Sequence, residues 1–206
     1  MNEWDGFAKT YSSTLGLATK PFSIDILKSI TINKNDTILD VACGSGTIQT
    51  ALVDFINDGL ISKQVKMIAI DNSGQMIQEV EELRSKYPVL DPIMTTQCID
   101  GELLKEIADE SIDIVTSSLG VILFKNRNKG FRNIFRVLKP SGQFVFSKWE
   151  STPKDIGMGI IDLTYFIFDL FPGQEEAAMK RRQLLNNDGK PVDEIRMKKS
   201  LKTIGK

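Results

Sequence analysis

Residues 38–47 read Ile-Leu-Asp-Val-Ala-Cys-Gly-Ser-Gly-Thr. The apolar beginning of this segment predicts a buried strand, and the two glycines predict a tight turn into a helix that begins near Thr47. Gly44 and Gly46 permit positive φ and let backbone amides approach a ligand closely. The amino end of the following helix points toward the same place and favours negative charge there. A tight turn without a ligand is the alternative explanation of these residues.

A second apolar run, residues 65–70, ends in the acidic residue Asp71. About 25 residues separate this acid from the glycines, and a similar spacing separates glycine loops from ribose-binding carboxylates in nucleotide-binding folds. A carboxylate at the end of a strand can accept two hydrogen bonds from the vicinal hydroxyls of a ribose. The alternative is an acid that stabilises the amino end of the next helix. The pair predicts a pocket for a small ligand that carries an adenosine, although neither a G-x-G-x-x-G nor a nucleoside-triphosphate loop is present.

Helix-like and strand-like segments alternate through most of the chain. Strands are predicted at residues 37–41, 65–70, 93–99, 112–117 and 143–149. Helices are predicted at residues 3–13, 19–30, 47–57, 73–87 and 126–138, with a helix or loop at 101–107 and a turn at 139–142. Thr19 is expected to cap the second helix, with Pro21 in its first turn. Five strands separated by helices predict an α/β fold with a doubly wound, Rossmann-like parallel sheet, whose ligand lies beyond the carboxyl ends of the strands.

The composition excludes several classes of function. The chain has 206 residues, of which 41% are hydrophobic, and this fits one domain with a real core. Its formal net charge of -1 gives no reason to expect nucleic acid or an anionic membrane as a partner. The chain contains no histidine, which excludes a Ser-His-Asp triad and removes the commonest zinc ligand. No metal site is expected.

Cysteine usage and the amino terminus indicate the compartment. Cys43 and Cys98 follow no metal or disulfide spacing, which favours a reducing, cytoplasmic setting. Both are expected to be small buried residues. Polar residues follow Met1, so no signal peptide is predicted. No apolar segment reaches the ~20 residues that span a bilayer.

The last third of the chain has a different pattern. Residues 156–171 are apolar nearly all round a helix, which requires cover on most sides. We expect this segment to cover a sheet edge, to form a lid over an apolar substrate, or to make a homodimer contact. Residues 180–206 are rich in lysine and arginine and predict surface helices. The chain is therefore divided into a core, residues 1–150, and a helical lid or carboxyl-terminal segment of the same domain, residues 151–206.

Five segments resemble, in the right order, the motifs of the class I S-adenosylmethionine-dependent methyltransferases. These segments are residues 39–46, 69–76, 98–101, 113–119 and 135–143. The chain is most similar to the small-molecule group that includes the ubiquinone/menaquinone type, and the similarity covers residues 4–149. In the first segment Ala42 replaces a glycine that is frequent in the family, and a small residue still fits there.

The resemblance implies a site for S-adenosyl-L-methionine. The residues implied to bind this cofactor are Asp40, Ala42, Cys43, Gly44, Gly46, Asp71, Asn72, Met76, Ile99, Asp100, Ser117 and Ser118. Asp71 would bind the ribose, and Met76 and Ile99 would pack near the adenine. Asp100 would accept a hydrogen bond from the adenine amino group. A core position for Met76 and a plain loop position for Asp100 are the alternatives.

The implied chemistry fits a chain without histidine. A sulfonium methyl is already electrophilic, so the protein must chiefly align a nucleophile with it in a dry site. No residue of the sequence is assigned as a general base. Trp4 and Tyr11 form either an amino-terminal lid or a surface helix packed by aromatic rings.

Three functions remain open. The first is methyl transfer to a small-molecule acceptor, with no nucleic acid as partner. The second is a binding or regulatory module without turnover, because members of the family continue after the fifth strand to a strand hairpin that we do not find after residue 149. The third is a macromolecule methyltransferase, supported only by the basic tail. Residues 117–120, Ser-Ser-Leu-Gly, stand where an asparagine-proline signature would mark amino-group methylation, which weakens DNA adenine and glutamine side chains as acceptors.

Overall fold

The computed structural model describes residues 4–6 and 8–148, and its centre is a five-stranded parallel sheet. The strands are β1 (Thr37–Val41), β2 (Lys66–Asp71), β3 (Met94–Cys98), β4 (Ile112–Ser118) and β5 (Leu138–Ser147). They lie in the order β3-β2-β1-β4-β5, and every neighbouring pair is parallel. This confirms the predicted doubly wound sheet. The order reverses between β1 and β4, and ligands of such sheets bind at that reversal.

Helices cover the sheet in the described part of the chain. They are α1 (Ala8–Ser13), α2 (Leu15–Lys28), α3 (Thr47–Asn57), α4 (Gly74–Lys86) and α5 (Arg127–Val137), with a short 3-10 helix at Val121–Leu123. The predicted ends of α3, α4 and α5 are confirmed to within one residue. Ser73 caps α4 by accepting from the Met76 amide (3.2 Å), and Asn126 caps α5 by accepting from the Lys129 amide (3.0 Å).

Strand β1 is buried on both faces, as parallel sheets require of their central strands. The main hydrophobic cluster joins residues of α2, α3 and α4 to β1 and β2; among them are Leu27, Ile38, Ile48, Leu52, Met67 and Val80. Burial of this cluster fixes β1 against α3, and it therefore fixes the loop that joins them. The buried face of α3 has one polar exception, Gln49.

The second helix begins earlier than predicted. It starts at Leu15, so Thr19 is not a cap and Pro21 lies inside the helix. The Thr19 hydroxyl donates to the Leu15 carbonyl (2.8 Å) within the helix, a bond that lets threonine occupy a helical position. Leu15 and Gly16 are buried, and this packing outweighs the local preference of the sequence.

Residues 139–142 form an irregular part of β5 rather than a separate turn. Ile112 pairs with Leu138 and Ile114 pairs with Gln143, so four residues of β5 lie opposite one residue of β4. That one residue is Asp113, whose two oxygens accept from Lys139 Nζ at 2.7 and 2.8 Å. The predicted turn chemistry is present, but the strand continues through it.

The described residues up to Ser147 belong to one compact unit. The apolar segment 156–171 and the basic segment 180–206, for which a lid, a dimer contact and surface helices are predicted, lie outside the described residues. So do residues 3 and 7 of the predicted first helix and residue 149 of the predicted fifth strand. Among the described helices, none has the length and apolar character to cross a membrane.

Candidate functional site

Three strand ends are joined at the carboxyl edge of the sheet. The Cys43 amide donates to the Ile70 carbonyl (2.9 Å), which joins the loop after β1 to the end of β2. The Ile99 amide donates to the Asp71 carbonyl (3.0 Å), which joins the end of β3 to the end of β2. The glycine loop (residues 42–46), Asp71 and the residues after β3 therefore lie side by side.

The glycine loop turns through three left-handed residues. The angle φ is +54° at Ala42, +54° at Gly44 and +87° at Gly46. A Cβ at Gly46 would lie 2.5 Å from Leu83 Cδ1, so a side chain there would require the Leu83 side chain to move. At Gly44 a Cβ would meet only Tyr11 Cε1, at 4.0 Å, so the backbone conformation alone favours glycine at that position.

Ala42 holds a conformation that glycine adopts at little cost. A left-handed backbone costs an L-residue roughly 1–2 kcal/mol. The methyl group of Ala42 fits because residue 120 is glycine: a Cβ at Gly120 would lie 2.5 Å from Ala42 Cβ and 2.9 Å from the Ala42 carbonyl oxygen. The loops after β1 and β4 therefore meet through this pair.

The Asp71 carboxyl organises the loops around it. Oδ2 accepts from the Gly44 amide (2.9 Å), and Oδ1 accepts from the Ser73 amide (2.9 Å). The residue is 7% exposed, and burial raises the pKa of its carboxyl, opposed by these amide hydrogen bonds. A carboxylate accepts up to about four hydrogen bonds, and the amides of Ser73, Gly44 and Asn72 supply three, so the group retains capacity for a hydroxyl donor. The bond to Ser73 agrees with the alternative explanation, in which Asp71 stabilises the amino end of the next helix. The contact of Asp71 with a ribose stays a prediction, and so does any contact of the exposed Asn72 with a cofactor.

Asp40 lies in the core beneath the glycine loop. It has no exposed surface, and its oxygens accept from Gln49 Nε2 (2.9 Å) and from Thr116 Oγ1 (2.9 Å). Burial raises the pKa of this carboxyl to about 7, opposed by the two hydrogen bonds and reinforced by the charge of Asp71. The structure thus gives Asp40 protein partners on both oxygens, and its predicted direct contact with a cofactor has no support in this geometry.

The two serines at the end of β4 shape the loop that follows. Ser117 is buried, and its hydroxyl accepts from the Val121 amide (3.1 Å). The Ser118 hydroxyl lies 3.5 Å from the Ser147 hydroxyl, which accepts from the Leu119 amide (3.0 Å). The Ser117 hydroxyl oxygen therefore supports the backbone of this loop.

The remaining predicted site residues differ in exposure. Met76 is almost fully buried, which agrees with the core alternative, and Ile99 is half-buried. Asp100 is exposed, and one of its oxygens accepts from the Glu102 amide (2.8 Å). Cys98 is exposed, so the expectation that both cysteines are buried is wrong for this one, because β3 lies at the edge of the sheet.

Cys43, in the glycine loop, is buried, and burial raises the pKa of its thiol well above the usual value, with Asp71 and Asp40 adding to the shift. A neutral thiol is therefore expected there. Its amide, rather than its sulfur, is the group that ties the loop to β2.

The amino-terminal residues lie over the same edge of the sheet. The rings of Trp4 and Tyr11 meet edge-to-face with centroids 6.1 Å apart. Burial raises the pKa of Tyr11, and the charge of Asp71 raises it further. The Ser73 hydroxyl donates to Asp5 Oδ1 (2.7 Å), which fastens this segment to the amino end of α4. These contacts favour the lid interpretation of Trp4 and Tyr11.

One aromatic ring joins the loops after β3 and β4. A Cβ at Gly101 would lie 3.3 Å from Phe124 Cζ, and a Cβ at Gly130 would lie 2.6 Å from Phe124 Cε2. The Glu102 carboxylate accepts from the amides of Lys125 and Asn126. These residues, together with Gln49 and Thr116, are not predicted from the sequence. For Gln49 a signal existed, since it is a polar residue on the apolar face of α3.

A model of the ubiE/COQ5 methyltransferase family matches residues 19–171, which include the glycine loop, Asp71 and the loops after β3 and β4. The chain belongs to this family. An uncharacterized methyltransferase of Schizosaccharomyces pombe is 30% identical over 145 residues, which are 67% of this chain and 49% of the relative. The ubiquinone/menaquinone biosynthesis C-methyltransferase UbiE of Geotalea daltonii is 29% identical over 130 residues, 62% of this chain and 51% of the relative. The chain thus spans about half the length of the curated relatives it matches.

A solved structure has a fold similar to that of this chain. It is that of a SAM-dependent methyltransferase from Aquifex aeolicus, with a TM-score of 0.57 and 18% sequence identity. The likeness covers 75% of this chain and 78% of the other. At this identity the comparison shows the fold, which is the Rossmann-like sheet of class I methyltransferases.

Proposed function

We propose that this chain is an S-adenosylmethionine-dependent methyltransferase that acts on a small molecule. The observation that carries the proposal is the Asp71 carboxyl, which lies at the end of β2 and bonds the amides of Gly44 and Ser73. A buried acid that joins a glycine loop to a helix end stands where a nucleoside ligand is bound in such sheets. Membership of a methyltransferase family supports the same ligand.

The residues present fit S-adenosyl-L-methionine. Gly44 and Gly46 leave part of the loop without side chains, and Asp71 retains acceptor capacity for a ribose hydroxyl. Ile99 offers half-buried apolar surface for an adenine, and Asp100 offers an exposed carboxyl beside it. When bound, the cofactor supplies a methyl group on a positively charged sulfur, which a nucleophile can attack without a catalytic metal.

The apolar residues of the loop after β4 favour a small, apolar molecule as the methyl acceptor. Leu119 is buried there, and Leu123 is 46% exposed, which is high for so large an apolar side chain. Apolar residues at this edge would exclude water from the reacting groups, and they would place the acceptor rather than activate it. We assign no general base. The names of UbiE relatives, which refer to quinone biosynthesis, support an apolar small molecule as acceptor.

Calorimetric titration of the 206-residue chain with S-adenosylmethionine and S-adenosylhomocysteine tests the proposal. We expect micromolar binding of both. Asp71→Ala should lose roughly 1–3 kcal/mol of binding free energy, because a charged acceptor of the ribose is removed. Asp58→Ala is the control, since Asp58 is exposed at the opposite end of α3 and should bind as the wild type does. A folded wild type that binds neither ligand contradicts the function, and a folded Asp71→Ala with unchanged affinity contradicts the ribose role.

A cytoplasmic location and a homodimer through residues 156–171 belong to the same proposal. Both cysteines are free, which suits a reducing compartment. The apolar pattern of residues 156–171 is the reason for the dimer. Cell fractionation and sedimentation velocity test these two points, and a monomer at micromolar concentration contradicts the second.

A further inference from the structure

Asp40 is a buried carboxyl without a positive partner. Thr116 Oγ1 donates to Oδ1 and Gln49 Nε2 donates to Oδ2, each at 2.9 Å. Neither donor is charged, and none of the ion pairs found among the described residues includes Asp40. A carboxylate that is desolvated and held only by neutral donors is unstable in its charged form. Any positive charge brought near it would favour ionisation.

Gln49 suits either charge state of Asp40. The side chain has no exposed surface, yet its Oε1 has no hydrogen-bond partner. An ionised Asp40 requires the amide nitrogen of Gln49, as seen here. A protonated Asp40 would instead donate to Oε1, which a half-turn of the amide brings into place. The pair therefore keeps one mutual hydrogen bond whether or not the proton is present.

The pair lies under the loop that would hold the cofactor. Asp40 precedes Ala42 by two residues, and Gln49 Oε1 is 3.4 Å from the point that a Cβ of Gly46 would occupy. Charges act over longer distances in such a buried place than they do in water. The other titratable groups coupled to Asp40 are Asp71 of β2 and Cys43 of the loop, while α3 and β4 contribute the neutral Gln49 and Thr116.

We propose that Asp40 is a specificity-determining residue, whose ionised form selects the sulfonium of S-adenosylmethionine over the neutral sulfur of S-adenosylhomocysteine. The inference rests on the proposed function. The two ligands differ at sulfur by one methyl group and one positive charge. A positive charge held near the glycine loop would stabilise ionised Asp40, so binding of the cofactor would release a proton, whereas the neutral sulfur of the product would give the carboxyl no such stabilisation.

The selection should depend on pH near neutrality. Burial raises the pKa of Asp40 to about 7, so the free protein changes its charge in the range where binding is easily measured. Below that range the cofactor must bind a neutral Asp40 or displace its proton. Above it the carboxylate is already present. Preference for the cofactor over the product therefore increases as pH rises.

Titration calorimetry from pH 5.5 to 8.5 measures this preference as the ratio of the two dissociation constants. In the wild type we expect the dissociation constant of S-adenosylhomocysteine, divided by that of S-adenosylmethionine, to rise with pH. The total rise should be roughly tenfold for each unit by which the sulfonium lowers the pKa of Asp40. Asp40→Asn is the matched control, because its oxygen can accept from Thr116 and its nitrogen can donate to Gln49 Oε1. The ratio for this variant should be lower at pH 8, and flat apart from titration of the ligands themselves.

Proton release gives a second readout. A proton released on binding is taken up by the buffer, so the measured heat then depends on the ionisation heat of the buffer. For S-adenosylmethionine at pH 7, this dependence should be stronger in the wild type than in Asp40→Asn. For S-adenosylhomocysteine, the wild type and Asp40→Asn should show the same dependence. Thr116→Val removes one donor to the carboxylate, so it should move the midpoint of the wild-type pH dependence upward. This second variant also serves if Asp40→Asn fails to fold.

The outcomes separate this inference from the proposed function. If both ligands bind but their ratio follows the same pH curve in the wild type and in Asp40→Asn, the selection by Asp40 is overturned and the cofactor site stands. An unmoved midpoint in Thr116→Val has the same meaning. If a folded wild type binds neither ligand, the proposed function is overturned and this inference falls with it.

Discussion

At Ala42 the backbone is left-handed, with φ at +54°, and nothing about an alanine predicts this conformation. The residue stands in a loop whose other left-handed positions, Gly44 and Gly46, are glycines. Its methyl group lies against Gly120, where a side chain would collide with it. Local strain and a tight contact between two loops therefore coincide at one residue.

Ala42→Gly should raise the free energy of unfolding by about 0.5–1 kcal/mol, because glycine relieves the left-handed strain and this gain exceeds its greater entropy in the unfolded chain. Urea denaturation measures the change. Ala18→Gly is the control: Ala18 is exposed within α2, where glycine should destabilise by about 0.5–1 kcal/mol. A loss of stability in both variants would contradict the strain at Ala42.

The buried Asp40 carboxyl should make stability depend on pH. Its pKa is about 7 in the folded chain against 3.8 ordinarily, so between these values the folded state binds more protons than the unfolded state. The free energy of unfolding therefore falls as pH rises through this window, by up to ~1.4 kcal/mol per unit from this group, and the fall ends above pH 7. Urea denaturation at pH 5, 6, 7 and 8 measures the free energy of unfolding of the wild type and of Asp40→Asn. As pH rises, the stability of the variant should increase relative to that of the wild type. A constant difference from pH 5 to 7 would contradict the shift.

Some of the site residues could be assigned from the sequence, and others could not. Gly44, Gly46 and Asp71 follow from their positions at strand ends, since a parallel sheet places such ends together. Asp40 follows from the same motif, but its role does not, because the direction of its side chain depends on Gln49 and Thr116. Those two partners lie 9 and 76 residues away in the chain, and only the packed structure brings them to the carboxyl.

At the scale of elements, the Phe124 ring contacts both the loop after β3 and helix α5. It lies against Gly101 on one side and against Gly130 on the other. In an isolated helix glycine is a poor choice, so Gly130 lowers the intrinsic stability of α5. Its presence is explained by the close approach of the ring, which leaves no room for a Cβ.

Gly130→Ala should destabilise the fold by about 1–3 kcal/mol, because the new methyl group would lie 2.6 Å from Phe124 Cε2 and the helix or the ring must move. Gly74→Ala is the matched control. Gly74 is the first residue of α4, and a Cβ there would meet nothing within 4 Å, so alanine should be neutral or stabilise by up to about 1 kcal/mol. Thermal or urea denaturation compares the two. Equal stabilisation by both substitutions would contradict the contact with Phe124.

Most elements could be predicted because periodicity and turn residues agree with the fold. The exceptions have physical causes. Helix α2 begins four residues earlier than predicted because Leu15 and Gly16 are buried. The local preferences of Thr19 and Pro21, on which the prediction depends, contain no information about this burial. Strand β5 continues through residues 139–142 because Asp113 of β4 receives Lys139 there. Both corrections come from contacts between elements.

At the scale of the molecule, the site draws on loops from four strands and on the amino-terminal residues. Asp5, near the start of the chain, accepts a hydrogen bond from Ser73, the cap of α4, while Gly120 lies against Ala42. A ligand held here would contact segments that are distant in the sequence, so its binding would oppose unfolding of the described unit as a whole.

S-adenosylhomocysteine at 100 times its dissociation constant should raise the free energy of unfolding by about 2.7 kcal/mol, provided that the unfolded chain does not bind it. Thermal denaturation at fixed protein concentration measures this effect. ATP is the control ligand, because the sequence lacks a nucleoside-triphosphate loop, and it should give no comparable stabilisation. Equal stabilisation by ATP would indicate a general nucleotide pocket instead.

The Asp71 carboxyl bonds the Gly44 and Ser73 amides through contacts that lie entirely within the protein. The glycine loop and the amino end of α4 are thus held in place by hydrogen bonds within the chain, without a ligand. A pocket shaped in advance loses little freedom when its ligand arrives. Capture can then proceed at a rate set by diffusion and access, and differences in affinity between ligands become differences in residence time.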